Sequence, residues 1–349
     1  MSLPPVEIPQ GAIRFNTDSQ KLEFYAQDQW WEMVIDTPNL GISTAGISSS
    51  IGSAGPRGLW GGGYSGATAS NTINYVNISS AGNAVDFGDL ASFKPRGVAA
   101  CSSATRGLWG GGYTEPTNAA TAQIDFITIS STGNSTSFGS LTLARERLAA
   151  CSSATRGLWA GRGQDPATVS NVIDYITIAS TGNAQDFGDL TVARGRFSAC
   201  SSPTRGLFGG GYIAPTHSNV VDYITISTAG NATDFGDLTV ARMWISCLSN
   251  PIRGIFGGGL SSPSNVNTVD YITIATTGNA VKFGELSVTR RGIAGCSSST
   301  RGLWGGGGSP TINVIDYVII NTQGNAVDFG DLFEASATLG ACSNAHGGL

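Results

Sequence analysis

The sequence predicts an all-β fold: a six-bladed β-propeller preceded by a small β-strand module. Three observations predict it. One unit recurs six times between Arg57 and the C-terminus, at intervals of 48–50 residues. Each copy holds four short segments of strand character, and helical periodicity is absent throughout. The composition agrees. Of 349 residues, 49 are glycine and only 12% are charged, about half the usual globular share of roughly 25%. A hydrophobic content of 40% is enough for a substantial core.

The repeat is marked by Arg-Gly, then Leu or Ile, then an aromatic residue, at Arg57, Arg106, Arg156, Arg205, Arg253 and Arg301. The third copy shows all its parts. Gly157 to Gly161 is a short apolar strand ending at glycine. Val172 to Ile178 is rich in β-branched and aromatic residues, with apolar side chains on both faces, as in a sheet covered on both sides. Ser180-Thr181-Gly182-Asn183 reads as a tight turn in which Gly and Asn supply positive φ. Ala184 to Leu190 is the next strand. Thr191 to Arg194 then links to Phe197-Ser198-Ala199-Cys200-Ser201, a strand of small residues suited to the crowded centre of a ring. A solenoid of β-units is the structural rival, but four strands per unit favours a propeller.

The order R-x-x-A-C-S-S, R-G-L-W-G-G-G, N-V-I-D-Y and F-G-D-L resembles the kelch repeat over residues 57–349. The sequence departs from that pattern in the outer strand, where kelch repeats usually carry Trp. Here the residue is Phe87, Phe138, Phe187, Phe235, Phe283 or Phe329. The two ends of the repeat array are complementary. The first copy lacks a small-residue strand before Arg57, and the last ends on one, Thr338 to Ser343. In kelch-like rings that strand is innermost, so residues 337–345 are expected to complete the first blade and cover its edge.

Residues 1–40 fall outside the repeat. Gly11 to Asn16, Lys21 to Tyr25 and Gln29 to Ile35 read as strands. So short a segment cannot bury Phe15, Phe24, Tyr25, Trp30 and Trp31 by itself, which points to attachment or self-association through these rings. The stretch G-x-I-R-F-N-T-D-x-x-K-L-E-x-Y…W, within residues 10–34, resembles a module that recurs in bacteriophage tail-fibre and other virion proteins. The resemblance implies a virion location, a homotrimer, and contacts with other virion proteins through residues 1–40. Residues 41–56, rich in Gly and Ser, read as a flexible linker.

Several functions are disfavoured. A net charge of −5 without a Lys/Arg cluster lacks the footprint of nucleic-acid binding. No apolar run approaches the length of a membrane span, and the N-terminus has no leader pattern. Cys101, Cys151, Cys200, Cys247, Cys296 and Cys342 recur once per copy, and are expected to be small buried thiols. In a ring of radius roughly 8 Å neighbouring copies lie beyond disulfide reach. With only two histidines, His217 and His346, no metal site is predicted, and no cofactor. The Asp-Phe-Gly strings and Gly-Gly-Gly runs recur without the rest of any kinase or phosphate-loop motif. The repeated arginines and Asp125, Asp174, Asp222, Asp270 and Asp316 are expected to be structural, as an ion-pair lattice or as solvated turns.

Function is therefore expected where the copies differ, in the loops after the glycine strand, which share one face of the disc with the inter-blade links. These loops supply Tyr64, Tyr113, Glu115, Arg162, Gln164, Asp165, Tyr212 and His217. Such residues suit a host cell-surface glycan or another virion protein. A polysaccharide-degrading enzyme is the alternative. It would need a carboxylate pair, for which the loops offer Glu115 and Asp165. A purely structural cement protein is the third reading. The expectation is a binding protein, not an enzyme.

Overall fold

The computed structural model describes residues 12–16, 21–27, 29–32, 55–65, 68–92, 94, 96–115, 117, 119–162 and 169–349. They belong to two compact units, Met1–Ser50 and Ile51–Leu349. All described elements are strands. The linker expected at 41–56 lies outside the described residues apart from Gly55 and Pro56.

The first unit is an antiparallel meander of Ile13–Asn16, Lys21–Ala26 and Gln29–Glu32. Arg14 organises one side. Its guanidinium lies 4.1 Å from the centre of the Trp30 ring and pairs with Glu23 at 2.7 Å. Tyr25 meets the same indole edge-on at 5.3 Å. Ile13 and Phe15 are 61% and 58% exposed. The side chains of Phe24 and Trp31 lie outside the described residues.

The second unit is a ring of six four-stranded antiparallel blades. Blade 3 runs outward as Ala149–Ser152, Arg156–Ala160, Val172–Thr177 and Gln185–Asp189. Blade 1 joins the two ends of the repeat array: Gly340–Ser343 pairs with Arg57–Gly61, Gly340 opposite Gly61 and Ser343 opposite Gly58.

The repeated residues bind blade to blade. In the second strand the aromatic residue (Trp60, Trp109, Trp159, Phe208, Phe256 or Trp304) is fully buried. The indole N–H of Trp159 donates to the Ala99 carbonyl of the preceding blade at 3.1 Å, and Trp109 donates likewise to Gly340 at 3.0 Å. Close approach of these rings explains the glycine that ends the strand: a Cβ on Gly110 would lie 2.6 Å from Trp159 Nε1. Opposite the smaller Phe208 ring the position is Ala160.

In every outer strand a β-bulge falls at the Phe-Gly segment, which reads Asp-Phe-Gly in four blades, Ser-Phe-Gly in blade 2 and Lys-Phe-Gly in blade 5. Ile173 faces Gly188 while Asp174 faces Asp186, leaving Phe187 as the extra residue. Its ring turns into the core, 2% exposed. The Gly-Asn turn also has a role beyond turning. The Gly133 N–H donates to the Phe87 carbonyl at 2.8 Å, and Asn134 Oδ1 accepts the Asp89 N–H at 3.0 Å. Among the turn residues Gly82, Gly133, Gly230 and Gly278 have positive φ, and the asparagines do not. The expected left-handed Asn is thus corrected: asparagine stands here for its side-chain acceptor, which hooks each blade to the one before it.

The two arginine series have different partners from those expected. The Arg-Gly arginines do not pair with the repeated aspartates. Arg156 lies 4.9 Å from the centre of the Tyr175 ring in its own blade and donates to the Ile226 carbonyl of the next at 2.9 Å. Arg301 closes this ring onto Ser79 of blade 1 at 2.7 Å. The aspartates pair instead with cations in the links: Lys94 with Asp125, Arg145 with Asp174, Arg194 with Asp222, Arg242 with Asp270, Arg290 with Asp316. These pairs are buried. Blade 1 is the exception. The corresponding residues are Ser336 and Asn74, so both charges are missing together where the ends of the repeat array meet.

Candidate functional site

At the centre, the inner strands surround a channel. Its wall is closed by a complete ring of serines. Each hydroxyl donates to the serine carbonyl of the preceding blade: Ser102 to Ser343, Ser152 to Ser102, Ser201 to Ser152, Ser249 to Ser201, Ser297 to Ser249 and Ser343 to Ser297, at 2.5–2.7 Å. Beyond the serines, residues 344–349 turn across the channel end. Positions 347 and 348 approach Ser152, Ser201 and Asn250 so closely that a Cβ at either would clash with backbone oxygen, which requires Gly347 and Gly348. His346 Nε2 lies 3.0 Å from the Ser102 carbonyl and 3.2 Å from Ser152 Oγ. Burial pulls the His346 pKa down to about 4.

All six thiols are free and buried. Five pack on a glycine of the next blade, as Cys101 does on Gly157 and Cys151 on Gly206. Cys247 is not their equivalent. Leu248 stands opposite Ile255 and packs on Gly302, whereas Cys247 stands opposite Phe256, at the position held elsewhere by Ala100, Ala150, Ala199, Gly295 and Ala341. The regular spacing of cysteines hides a one-residue offset, and in a strand one residue changes face. Burial raises the Cys342 pKa to about 12 and pushes Cys101, Cys151, Cys247 and Cys296 upward as well. Among the described residues no group of metal-ligating side chains is assembled.

The opposite end of the channel departs from six-fold symmetry. Six residues, one per blade, form its rim: Gly97, Arg147, Arg196, Trp244, Gly292 and Thr338. All have left-handed backbone, with φ between 56° and 64°. Two are glycine; the other four carry side chains in a conformation that disfavours them. Backbone bonds run around the rim, from Arg147 N–H to the Gly97 carbonyl (2.8 Å), Arg196 to Arg147 (3.0 Å), Trp244 to Arg196 (2.7 Å), Gly292 to Trp244 (2.9 Å) and Thr338 to Gly292 (2.8 Å). These bonds hold the conformation in every blade. The bulky side chains stand on blades 3, 4 and 5, and the small ones on blades 6, 1 and 2. A cavity of about 100 Å³ lies within the rim.

The guanidiniums of Arg147 and Arg196 lie 5.4 Å and 5.0 Å from the Trp244 ring centre. Arg196 also lies 5.3 Å from the ring centre of Tyr212. Arg162 stands behind them, 1% exposed, its stem against Gly195. Glu146 pairs with Arg147 at 3.2 Å and is 3.9 Å from Arg162. Burial, then Arg147 and Arg162, lowers the Arg196 pKa to about 10. The Nε atoms of all three arginines and Nη2 of Arg162 have no hydrogen-bond partner.

Tyr64, Tyr113 and Tyr212 occupy equivalent places, directly after the glycine strand, whereas Arg162 stands one residue earlier, at the position of Gly63, Gly112 and Gly211. Tyr64, Tyr113 and Tyr212 bridge to the links at Ala337, Arg96 and Gly195. Arg96 lies between Tyr64 and Tyr113, at 5.6 Å and 5.3 Å. The loops that follow are small hairpins in blades 1, 2, 4 and 5. His217 sits in one of them, its ring 6.3 Å from Tyr212, and its Nδ1 accepts the Ser262 N–H at 3.3 Å. Burial, then Arg196, lowers its pKa. Glu115 is at the turn of the blade 2 hairpin. Gln164 and Asp165 lie outside the described residues, so nothing described assembles the carboxylate pair Glu115 and Asp165.

The structure thus brings Arg162, Tyr212 and His217 together with three residues the sequence reading did not select: Arg147, Arg196 and Trp244. A usable signal was present. Two copies carry glycine where three carry Arg, Arg and Trp, a pattern that marks a glycine-favouring conformation in which a large side chain is retained. In comparisons with known proteins, no family model and no curated protein matches the chain.

Proposed function

We propose that the protein is a virion component whose propeller presents its variable face for binding to a host-surface glycan or a neighbouring virion protein. In this reading the repeat is of kelch type and serves as scaffold, and the N-terminal sheet attaches the protein and joins it into a homotrimer. One observation carries the binding role. The repeated polar groups are engaged between blades, whereas the variable face gathers large charged and aromatic side chains that the ring does not require. The virion assignment rests on the motif within residues 10–34, and the exposed Ile13 and Phe15 suit self-association.

The test is binding of the purified full chain to host envelope preparations. Saturable binding, lost on Tyr113→Ala or Tyr212→Ala with the thermal midpoint kept, supports the reading. Binding unaffected by both, or no binding, overturns the display role. Immunogold labelling of intact particles tests the location: label on a projecting fibre or capsid surface is expected, and particles without label refute it.

A further inference from the structure

We propose that the channel mouth is a receptor pocket for an oxyanion, a carboxylate or phosphate group carried by a larger ligand, held by Arg147 and Arg196 with Arg162 behind them. This deepens the binding role proposed above and rests on it. Four observations converge. Three guanidiniums share one cluster with a single described carboxylate, Glu146, which leaves an excess of positive charge in a partly dehydrated site. Arg162 is almost wholly buried, and its Nε and Nη2 make no hydrogen bond, Nη2 standing 3.9 Å from Glu146. Buried cationic donors without partners are costly, and an anion bonding to the guanidinium forks is the chemistry that relieves them.

The third observation is backbone geometry. Arg147, Arg196 and Trp244 occupy left-handed positions that glycine fills in two other blades. The same rim is therefore built without these side chains, so their retention against an unfavourable conformation points to a role other than folding. The fourth is size. A cavity of about 100 Å³ lies within the rim, room for several water molecules. That admits a carboxylate or phosphate group, with the remainder of the ligand over the open side formed by blades 6, 1 and 2. Trp244 and Tyr212 hold the arginines by cation–π contact, so they position the donors.

The test uses the full chain with glucuronate, glucose 6-phosphate and glucose as probes, with binding followed by ligand-observed nuclear magnetic resonance. Binding of at least one acidic probe at millimolar concentration, weakened on going from 50 to 300 mM salt and absent for glucose, is expected. Which acid binds separates a carboxylate ligand from a phosphate ligand. Arg196→Gln should weaken binding at least tenfold. Arg196→Gly is the decisive variant: it should abolish binding and raise the thermal midpoint, because it removes both the left-handed side chain and a like-charge neighbour. A purely structural Arg196 would give a lower midpoint. Equal binding of glucose, no binding of either acid, or unchanged binding in Arg196→Gln overturns the inference. Failure here is distinguishable from failure of the display role. Host-surface binding that persists in Arg196→Gln refutes the oxyanion pocket alone, and acid binding without any host-surface binding refutes the display role alone.

Discussion

Asp222→Asn tests how the blades are held. The substitution keeps the shape of the side chain but removes the charge that faces Arg194. In the native blade Asp222 accepts the Arg194 Nη2 donor at 2.9 Å and the Thr191 hydroxyl at 2.6 Å, with both ionic partners fully buried. Breaking one partner of such a pair costs about 3–5 kcal/mol, because the other charge stays buried. With an unfolding entropy of about 2.1 cal/mol/K per residue, the Ile51–Leu349 unit loses roughly 1.6 °C per kcal/mol, so a fall of about 5–8 °C is expected. Scanning calorimetry on Asp222→Asn, Arg194→Met and the double variant measures it. The double variant should be less damaged than the sum of the singles by about 2 kcal/mol. Blade 1 provides the converse. Asn74→Asp alone should destabilise, and Ser336→Arg added to it should recover part of the loss. A cost below about 1 kcal/mol for Asp222→Asn, or strict additivity in the cycle, would refute the reasoning.

Gly110→Ala should cost about 1–3 kcal/mol by overpacking against Trp159, measured as a lower midpoint in denaturant. The six thiols should be silent to a thiol reagent at pH 8 in the folded protein and all react after unfolding, since all six are buried; rapid reaction of two or more in the native state contradicts this. His346 gives a pH dependence of definite sign. Its folded pKa, about 4, is below the unfolded value of about 6.5, so its stabilising contribution is complete above pH 6.5 and is lost as pH falls towards 4. At about 1.4 kcal/mol per unit the loss is at most about 3.5 kcal/mol. It is read as the difference in midpoint between wild type and His346→Ala across that range, and a difference that does not vary with pH contradicts it.

The propeller was legible because its rules are local and repeated six times. Strand alternation, the glycines before Trp or Phe and the Phe-Gly bulge recur at fixed places, so the period exposes them. Pairing was not legible. The aspartates could be seen, but only the fold shows that Arg194, not Arg205, reaches Asp222: one arginine enters the blade from the link, while the other crosses to the Ile274 carbonyl. The cysteine count misled at Cys247, since a one-residue offset preserves the spacing approximately and reverses the face. Of the candidate site, Arg162, Tyr212 and His217 followed from loop variability. Arg147, Arg196 and Trp244 lie in the links, where variation looked unremarkable without knowledge of the backbone conformation. The turn across the channel by His346 to Leu349 has no counterpart in the other copies, so the period could not predict it.

The central claim is that the regular residues build the ring and the irregular face binds. Hydrogen exchange of the full chain, alone and on host envelope material, tests it most directly. The account predicts added protection at the rim and hairpins, around residues 64–65, 113–115, 147, 196, 212–217 and 244, with little change at the Gly-Asn turns of the opposite face. Protection centred on those turns, or spread evenly over the six blades, would contradict it.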